Sequence, residues 1–248
     1  MRCQECGLVS LSHPITDSEL QEIYGKEYFT GKIYKNYIRE RAFRTRLFER
    51  KLNLIRKHLP VTGKLLDVGS AAGFFLEVAR KGGYEVCGVE LSKFAAAYAT
   101  ESLGLKIHEG QLEDAKFPSR YFDIVTMWDV LEHLRRPLET LQEASRLLRR
   151  CGVIVIETLN VDCVGAKILG SRWPLYQPPY HLFYFSLRTL HILLSKAGFR
   201  VFRVIPVQTY SPIHSHRALR YFDNPFIPKR IVGQLLGDVV IVLARNQT

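Results

Sequence analysis

The sequence lacks any uninterrupted apolar run of about 18 residues, the length that a membrane-spanning helix requires. Its first ten residues, MRCQECGLVS, also lack the basic start and the apolar stretch of a secretory signal peptide. We therefore expect a cytoplasmic protein without a membrane span. Hydrophobic residues form 47% and charged residues 24% of the 248 positions, which is typical of a globular chain with a full core.

Cysteine is scarce, and its five positions are irregularly spaced, which argues against a disulfide framework. Cys87 and Cys151 stand in or beside apolar runs, so we expect buried free thiols there. Cys3 and Cys6, followed by Gly-Leu, resemble half of a zinc ribbon, but a closed zinc site needs four ligands and a second C-x-x-C pair is absent. We predict no metal site, and zinc binding completed by His13 or by a second chain stays open.

Acidic residues do not balance the basic ones: 24 Asp and Glu face 35 Lys and Arg, a net charge of +11. Lysine and arginine are concentrated between residues 35 and 57, where only Glu40 and Glu49 oppose them. Apolar residues at helical spacing, among them Phe43 and Leu47, predict an amphipathic helix over about 35–58. Its basic face is either a solvated surface or one that attracts nucleic acid, acidic lipid or a phosphorylated substrate.

Beyond residue 60, strand-like and helix-like segments alternate. Strands are predicted at 65–68, 86–89, 105–108, 122–128, 153–157, 199–207 and 239–244. Helices are predicted at 74–81, from Ser92 through the alanines at 95–97, from Pro137 through 148, and from Ser186 to 196. The alternation predicts an α/β fold, a doubly wound parallel sheet with helices on both faces. Residues 1–34 are turn-rich and form a predicted N-terminal extension to a domain over 35–248.

The loop after the first of these strands lacks the features of two common phosphate sites. A P-loop places Lys and then Ser or Thr after its second glycine, whereas Phe74 and Phe75 follow Gly73 here. A dinucleotide site needs G-x-G-x-x-G, and this loop has only Gly69 and Gly73. Asp67, near the end of the strand, would repel a phosphate but suits a cationic ligand. In a doubly wound sheet this loop lies where ligands bind.

The segment D-x-G-x-x-x-G at 67–73, with Glu90 at the end of the second strand, resembles motif I of the class I S-adenosylmethionine (SAM)-dependent methyltransferases. The resemblance implies a Rossmann-like, seven-stranded sheet, mostly parallel with an antiparallel last strand, and SAM as the cofactor. It also implies that Gly69 and Gly73 admit the cofactor, that Asp67 supports its aminoacyl end and that Glu90 binds its ribose hydroxyls. The complete set of implied cofactor residues is Asp67, Gly69, Ser70, Ala71, Gly73, Phe74, Glu90, Leu91, Gln111, Leu112 and Asp129.

The resemblance extends over most of the chain. In the loop 110–114 it implies that Gln111 meets the adenine amino group and the Leu112 backbone a ring nitrogen, although the family often has Asp where Gln111 stands. The segments 121–125, 128–134 and 158–160 resemble further motifs of the family, and 172–174 and 179–186 resemble its Methyltransf_23 group. Many members of that group modify sugars and surface polysaccharides, so the resemblance implies a small-molecule acceptor, such as a sugar or a nucleotide-linked sugar. The basic balance also allows an acidic acceptor, and residues 161–186 are predicted as a lid on the substrate side.

Glu132 and His133 follow the fourth strand, beside the methyl-donor site that the resemblance implies. Histidine titrates near neutrality and a neighbouring carboxylate orients it, so His133 with Glu132 is the predicted base. His181, in the predicted lid, is a candidate for substrate binding or for a second acid or base. The alternative for both histidines is a packing role. Asp129 and Glu132 have the spacing to share a cation, but no further ligand is evident, so no metal is predicted.

Three other functions compete with this one. An RNA methyltransferase would use the basic 35–57 helix as a phosphate rail, although no RNA-binding motif is present. A non-catalytic protein that binds SAM or nucleic acid is the second. An NAD-dependent oxidoreductase is the third, and the missing glycine disfavours it. The sequence predicts neither the methylated atom nor the oligomeric state.

Overall fold

The computed structural model describes residues 1–13, 15–31, 36–207 and 237–248. Its strands are β1 (Val9–Ser10), β2 (Gly63–Val68), β3 (Tyr84–Glu90), β4 (Ile107–Glu109), β5 (Phe122–Trp128), β6 (Leu148–Leu159), β7 (Phe183–Tyr184), β8 (Phe199–Val207) and β9 (Val239–Asn246). Its helices are α1 (Asp17–Ile23), α2 (Lys26–Thr30), α3 (Arg41–Arg56), α4 (Phe74–Lys81), α5 (Lys93–Leu103), α6 (Pro137–Leu147), α7 (Val164–Leu169) and α8 (Leu187–Lys196). Among these helices, none combines the length and the apolar character that a bilayer crossing requires.

Seven strands form one sheet in the order β4-β3-β2-β5-β6-β9-β8. Strands β2 to β6 run parallel to one another, whereas β9 is antiparallel to both β6 and β8. The predicted seven-stranded sheet with an antiparallel last strand is confirmed. The last strand does not lie at the edge, because it is inserted between β6 and β8. Burial on both faces explains why its residues 239–244 form a continuous apolar run.

The predicted strand boundaries shift in two places. The third strand is found at β4, two residues later than predicted, and β6 begins at Leu148 rather than at 153. A register shift between β5 and β6 leaves residues 149–152 of β6 without a partner in β5, as in a β-bulge. Cys151, in this irregular part of the strand, has a φ of 64° and is exposed, so the prediction of a buried thiol there is wrong. Cys87 is half-buried, and all five cysteines are free.

The strand order reverses between β2 and β5. After β2 the chain adds β3 and β4 on one side and then crosses to β5 on the other. In this class of sheet, ligands bind in the crevice beyond the carboxyl ends of the strands at that point. The loop 69–73, which follows β2, and the segment 129–133, which follows β5, therefore border the expected site.

Helix α3 corresponds to the predicted basic helix, but it begins at Arg41, and Lys35 lies outside the described residues. Its buried residues are Phe48, Lys51, Leu52 and Ile55. Phe43 was predicted to share this apolar stripe but is 64% exposed. The reason is geometric, because Phe43 lies five residues before Phe48 and therefore about 140° away around the helix. The charged Lys51, in contrast, lies within the stripe.

The N-terminal segment is attached to the predicted lid. Strand β1 pairs with β7 in a separate antiparallel sheet, with Val9 opposite Tyr184 and Ser10 opposite Phe183. Helix α2 packs on α5, where the Phe29 ring contacts Phe94. The predicted domain boundary at 34/35 lies outside the described residues. Among the residues described, no third side chain of a metal-binding type joins Cys3 and Cys6, so this part of the chain does not complete a zinc site by itself.

Candidate active site

The loop after β2 is held tightly against its neighbours. The backbone N–H groups of Gly69 and Ser70 both donate to the carbonyl oxygen of Val89, at 2.8 and 3.1 Å. Gly69 has a φ of 69°, and a Cβ built on it would lie 2.5 Å from Cγ2 of Val130. Glycine is therefore required at this position by the backbone angle and by the close approach of the segment after β5.

We expect Gly69→Ala to lower the free energy of unfolding by about 2 kcal/mol or more, because left-handed strain and a steric clash act together. Gly104→Ala is the matched control. Gly104 has a φ of 59°, but nothing lies within 4 Å of the Cβ it would gain, so we expect a loss of about 1 kcal/mol from strain alone. Urea denaturation compares the two variants, and equal losses would show that Val130 does not close on the loop.

Asp67 is buried beside the loop and bonds to the neighbouring strand. Its Oδ1 accepts a 2.6 Å hydrogen bond from the Thr126 hydroxyl of β5. Burial raises the pKa of Asp67 to about 8, and the nearby Glu90 contributes in the same direction, while the Thr126 bond and Lys51 oppose it. A buried carboxyl with a raised pKa is a favourable partner for a cationic group, which would restore its ionised form.

Glu90 ends β3 with both carboxylate oxygens directed at backbone amides. Its Oε2 accepts from the Ala71 N–H and its Oε1 from the Ser92 N–H, both at 2.7 Å. Burial raises the pKa of Glu90, and these backbone bonds partly counteract the rise. Ser92 occupies the N-cap position of α5 as predicted, but its hydroxyl makes no bond to the helix and is buried without a partner among the described residues.

The remaining predicted cofactor residues lie on three neighbouring loops. Gln111 is exposed and precedes a 3₁₀ turn in which Leu112 is buried. The Gly110 N–H donates to the carbonyl oxygen of Glu90 at 2.9 Å, so this loop is aligned with the end of β3. Asp129 follows β5 with a φ of 53° and an exposed side chain.

Gly73 and Phe74 have a different place from the other members of the predicted set. Gly73 is the N-cap of α4 with a φ of 78°, and a Cβ there would lie 2.5 Å from Cδ1 of Leu105. Phe74 is fully buried and stacks on Tyr37 with the ring centroids 5.5 Å apart. Neither residue lines the cavity described next. Both residues pack on the side of the loop away from this cavity lining, and their contact with the cofactor stays a prediction.

A cavity of about 270 Å³ lies at the crevice and unites most of the predicted residues. The predicted residues that line it are Asp67, Gly69, Ser70, Ala71, Glu90, Leu91, Gln111, Leu112, Asp129 and His133. None of the described residues between 161 and 186 lines it. The predicted lid is therefore not a wall of this cavity. It contacts the cavity-lining residue His133 through the carbonyl of Tyr180.

The opposite wall comes from the N-terminal helices. It consists of Leu20, Tyr24, Tyr28 and Phe29 of the α1–α2 region, Tyr37, and Arg44, Leu47, Phe48 and Lys51 of α3. Sequence reasoning missed all of these as site residues. The one available signal was Lys51, a charged residue at the spacing of the buried stripe of α3.

His133 and His181 lie together, with ring centroids 4.8 Å apart. The Nδ1–H of His133 donates to the carbonyl oxygen of Tyr180 at 2.8 Å and lies 2.7 Å from the Tyr24 hydroxyl oxygen. His181 donates through Nδ1 to the carbonyl oxygen of Leu175 at 2.7 Å. Because each Nδ1 carries the proton, each Nε2 is left with its lone pair.

Glu132 completes this cluster from the buried side. Its Oε2 accepts a 2.8 Å bond from the Thr158 hydroxyl, and burial raises the pKa of Glu132 to about 8. Burial also lowers the pKa of His133 to about 3 and lowers that of His181. One ligand atom from each of Glu132, His133 and His181 lies within 4.8 Å of the others. Among the described residues, these three side chains therefore have ligand atoms close enough together to bind a divalent cation. Of these three residues only His133 lines the cavity, while Glu132 bonds to Thr158 and His181 to the Leu175 carbonyl.

Comparison with known proteins assigns the chain to a family. The Methyltransf_23 family, described as a methyltransferase domain, matches residues 38–204. The chain belongs to this methyltransferase family. The predicted family and class of enzyme are confirmed at that level.

Curated relatives of this methyltransferase include ubiquinone biosynthesis O-methyltransferases. The protein from Haemophilus ducreyi is 33% identical over 129 residues, which are 47% of this chain and 54% of the relative. The protein from Nitrosococcus oceani is 32% identical over 148 residues, 54% of this chain and 62% of the relative. The chain thus spans between a half and two thirds of the length of these relatives. A SAM-dependent methyltransferase from Archaeoglobus fulgidus shares the fold, with a TM-score of 0.63 at 20% identity over 86% of this chain and the whole of that one.

The cavity of this methyltransferase has the features expected of a site for SAM, the predicted cofactor. Asp67 suits its ammonium group, and the carboxylate of Glu90 has acceptor capacity left for ribose hydroxyls. Ser70 lines the cavity, and its buried hydroxyl has no hydrogen-bond partner among the described residues. When bound, SAM supplies an electrophilic methyl group on a sulfonium.

Proposed function

We propose that this protein is a SAM-dependent methyltransferase that methylates a hydroxyl of a small, planar acceptor. The observation that carries the proposal is a cavity shared by two kinds of wall. One wall holds the acids and the glycine loop that suit SAM, and the other is aromatic, with Tyr24, Tyr28, Phe48 and Trp128. A small aromatic acceptor held against the second wall would lie beside the methyl donor.

Oxygen is favoured as the methylated atom because the curated relatives are named O-methyltransferases. Their names refer to ubiquinone biosynthesis and not to sugars. The sugar or nucleotide-linked sugar predicted from the sequence is therefore retained as the competing acceptor class, since aromatic walls also accept sugar rings.

The N-terminal segment is part of this proposal. We place residues 1–34 as a cover that closes the methyltransferase domain over 35–248, because Leu20, Tyr24 and Phe29 line the cavity. The segment 161–186, predicted as the lid, would then hold His133 from behind through the Tyr180 carbonyl.

Calorimetry and a methyl-transfer assay test the function together. We expect the protein to bind SAM and S-adenosylhomocysteine but not NAD, and to transfer radiolabelled methyl groups to catechols in preference to UDP-glucose or bulk tRNA. Transfer to UDP-glucose would select the sugar alternative. Transfer to tRNA would select the RNA alternative, and binding of neither adenosyl ligand by folded protein would overturn the proposal.

His133 is the proposed base, because it lines the cavity and its Nδ1–H donates to the Tyr180 carbonyl, which leaves the lone pair of Nε2 for a proton. We expect His133→Asn to lower kcat for the acceptor by about 100-fold or more while SAM affinity stays unchanged. His191→Asn, at an exposed position on α8, is the matched control and should leave kcat unaltered. An unchanged kcat in His133→Asn would leave this residue only a packing role.

A further inference from the structure

We propose that Lys51 and Trp128 form the subsite for the reacting hydroxyl of the acceptor, with the Lys51 ammonium and the Trp128 indole N–H both donating to its oxygen. The inference rests on the proposed function, because it assigns residues to the acceptor half of the same cavity. It also narrows the acceptor to a neutral molecule whose hydroxyl ionises readily, such as a phenol.

Lys51 occupies a position where the helix pattern calls for an apolar residue. It lies on the buried stripe of α3 between Phe48 and Leu52, and its side chain is 11% exposed. Its Nζ lies 2.8 Å from Oε2 of Glu157, which is buried on β6. A buried ammonium is costly even when it is paired, and local rules of this kind are broken most often at functional sites.

The ammonium is only partly satisfied. A lysine carries three N–H donors, and the ion pair with Glu157 engages at most one of them. Within the described part of the chain, Nζ makes no other hydrogen bond, and it lies 5.2 Å from the Trp128 ring centroid and 5.4 Å from that of Phe48. Because Lys51 lines the cavity, a ligand oxygen can take the remaining donors.

Trp128 supplies an independent observation at the same place. It is the last residue of β5, at the point where the strand order reverses, and it lines the cavity while only 8% exposed. Its Nε1–H is buried and has no hydrogen-bond partner among the described residues. A buried donor left unpaired costs about 1–3 kcal/mol, and an acceptor oxygen in the cavity would recover it.

The charges around Lys51 favour a neutral acceptor over an acidic one. Two acids face it from neighbouring strands, Asp67 from β2 and Glu157 from β6, and Asp129 lies near Glu157. An additional carboxylate or phosphate at this point would be repelled. A hydroxyl enters this site without a charge. The ammonium that would donate directly to its oxygen acts at a shorter distance than the acids do, so it lowers the pKa of the hydroxyl and more of it is present as the nucleophilic oxyanion.

The methyl-transfer step then needs only the acceptor, SAM and a proton acceptor of this cavity. The acceptor O–H bond breaks and its proton passes to His133. The oxygen forms a bond to the methyl carbon, and the bond from that carbon to sulfur breaks with its electron pair left on sulfur.

The test uses 4-nitrocatechol, whose phenolate absorbs at a longer wavelength than its neutral form, bound to the protein together with S-adenosylhomocysteine. We expect binding to lower the pKa of the probe by about one unit or more. Lys51→Met should abolish that shift and weaken probe binding about 10- to 100-fold, with S-adenosylhomocysteine affinity unchanged. Lys57→Met, at an exposed position next to the end of α3, is the matched control and should behave as the unaltered protein.

A second variant guards against loss of the fold. Lys51→Met leaves Glu157 buried without its partner, so the double variant Lys51→Met with Glu157→Gln removes both charges and should keep the circular dichroism spectrum while still losing the probe shift. A folded Lys51 variant that binds and ionises the probe like the unaltered protein would overturn the proposal, as would an unaltered protein that does not bind the probe. The proposed function fails separately, when the unaltered protein transfers no methyl group to any phenol.

Discussion

We expect the Glu90→Gln variant to bind SAM about 100-fold more weakly than the unaltered protein. The carboxylate is held in one orientation by the Ala71 and Ser92 amides, and its remaining lone pairs are directed to the cavity. Two ribose hydroxyls that donate to a charged oxygen pair are each worth about 1.5 kcal/mol or more. Glutamine keeps the shape but loses the charge and one acceptor.

Calorimetric titration with SAM measures this effect. Glu109→Gln is the matched control, because Glu109 pairs with Glu90 in the register of β3 and β4 but is exposed and does not line the cavity. We expect its affinity to be unaltered. Equal affinities for the two variants would refute the assignment of the ribose to Glu90.

We expect Asp67→Asn to weaken SAM binding about tenfold and, at the same time, to stabilise the free protein by about 2 kcal/mol at pH 8.5. The folded-state pKa of Asp67 is raised to about 8 from an ordinary value of 3.8. A raised carboxyl pKa contributes stability at low pH, and that stability is lost as pH rises from about 4 to about 8. Asparagine has no charge to bury and keeps the hydrogen bond from Thr126, so the variant does not lose this stability as the pH rises.

Thermal unfolding between pH 4 and pH 9, with and without SAM, measures both effects. The variant should unfold about 4–8 °C higher than the unaltered protein at pH 8.5 and at the same temperature at pH 4. Adding SAM should reverse the order, since the unaltered protein gains more from the ligand. Asp162→Asn, at an exposed position, is the control. If the variant is less stable than the unaltered protein at pH 8.5, burial of the ionised Asp67 carboxylate does not destabilise the folded protein.

Much of the fold was predictable because its signals are local. The strand and helix periods predicted all seven strands of the main sheet. Ser186 caps α8 as predicted, through a 3.1 Å bond from the Thr189 N–H. The errors at Phe43 and Cys151 have a common origin. Each residue lies next to a buried segment, and its residue type alone does not show whether the local backbone directs the side chain into the core or towards solvent.

The glycine loop and Glu90 could be assigned from sequence for the same reason. Gly69 needs a positive φ, Asp67 ends a buried strand, and both requirements are visible in a few adjacent residues. Their meeting with Glu90 follows from the parallel register of β2 and β3, which pairs Val68 with Val89. Local spacing and the pairing of two neighbouring strands were enough to predict that the loop and Glu90 lie together.

The acceptor half was decided only by tertiary packing. Helices α1 and α2 reach the cavity because β1 is joined to β7, a pairing of segments more than 170 residues apart that no local pattern encodes. The same packing turns Lys51 inwards to Glu157 and separates His181 from the cavity behind His133. Short-range periodicity fixes which residues are buried, but it does not specify which distant surface buries them, and that surface determines what a buried charge can bind.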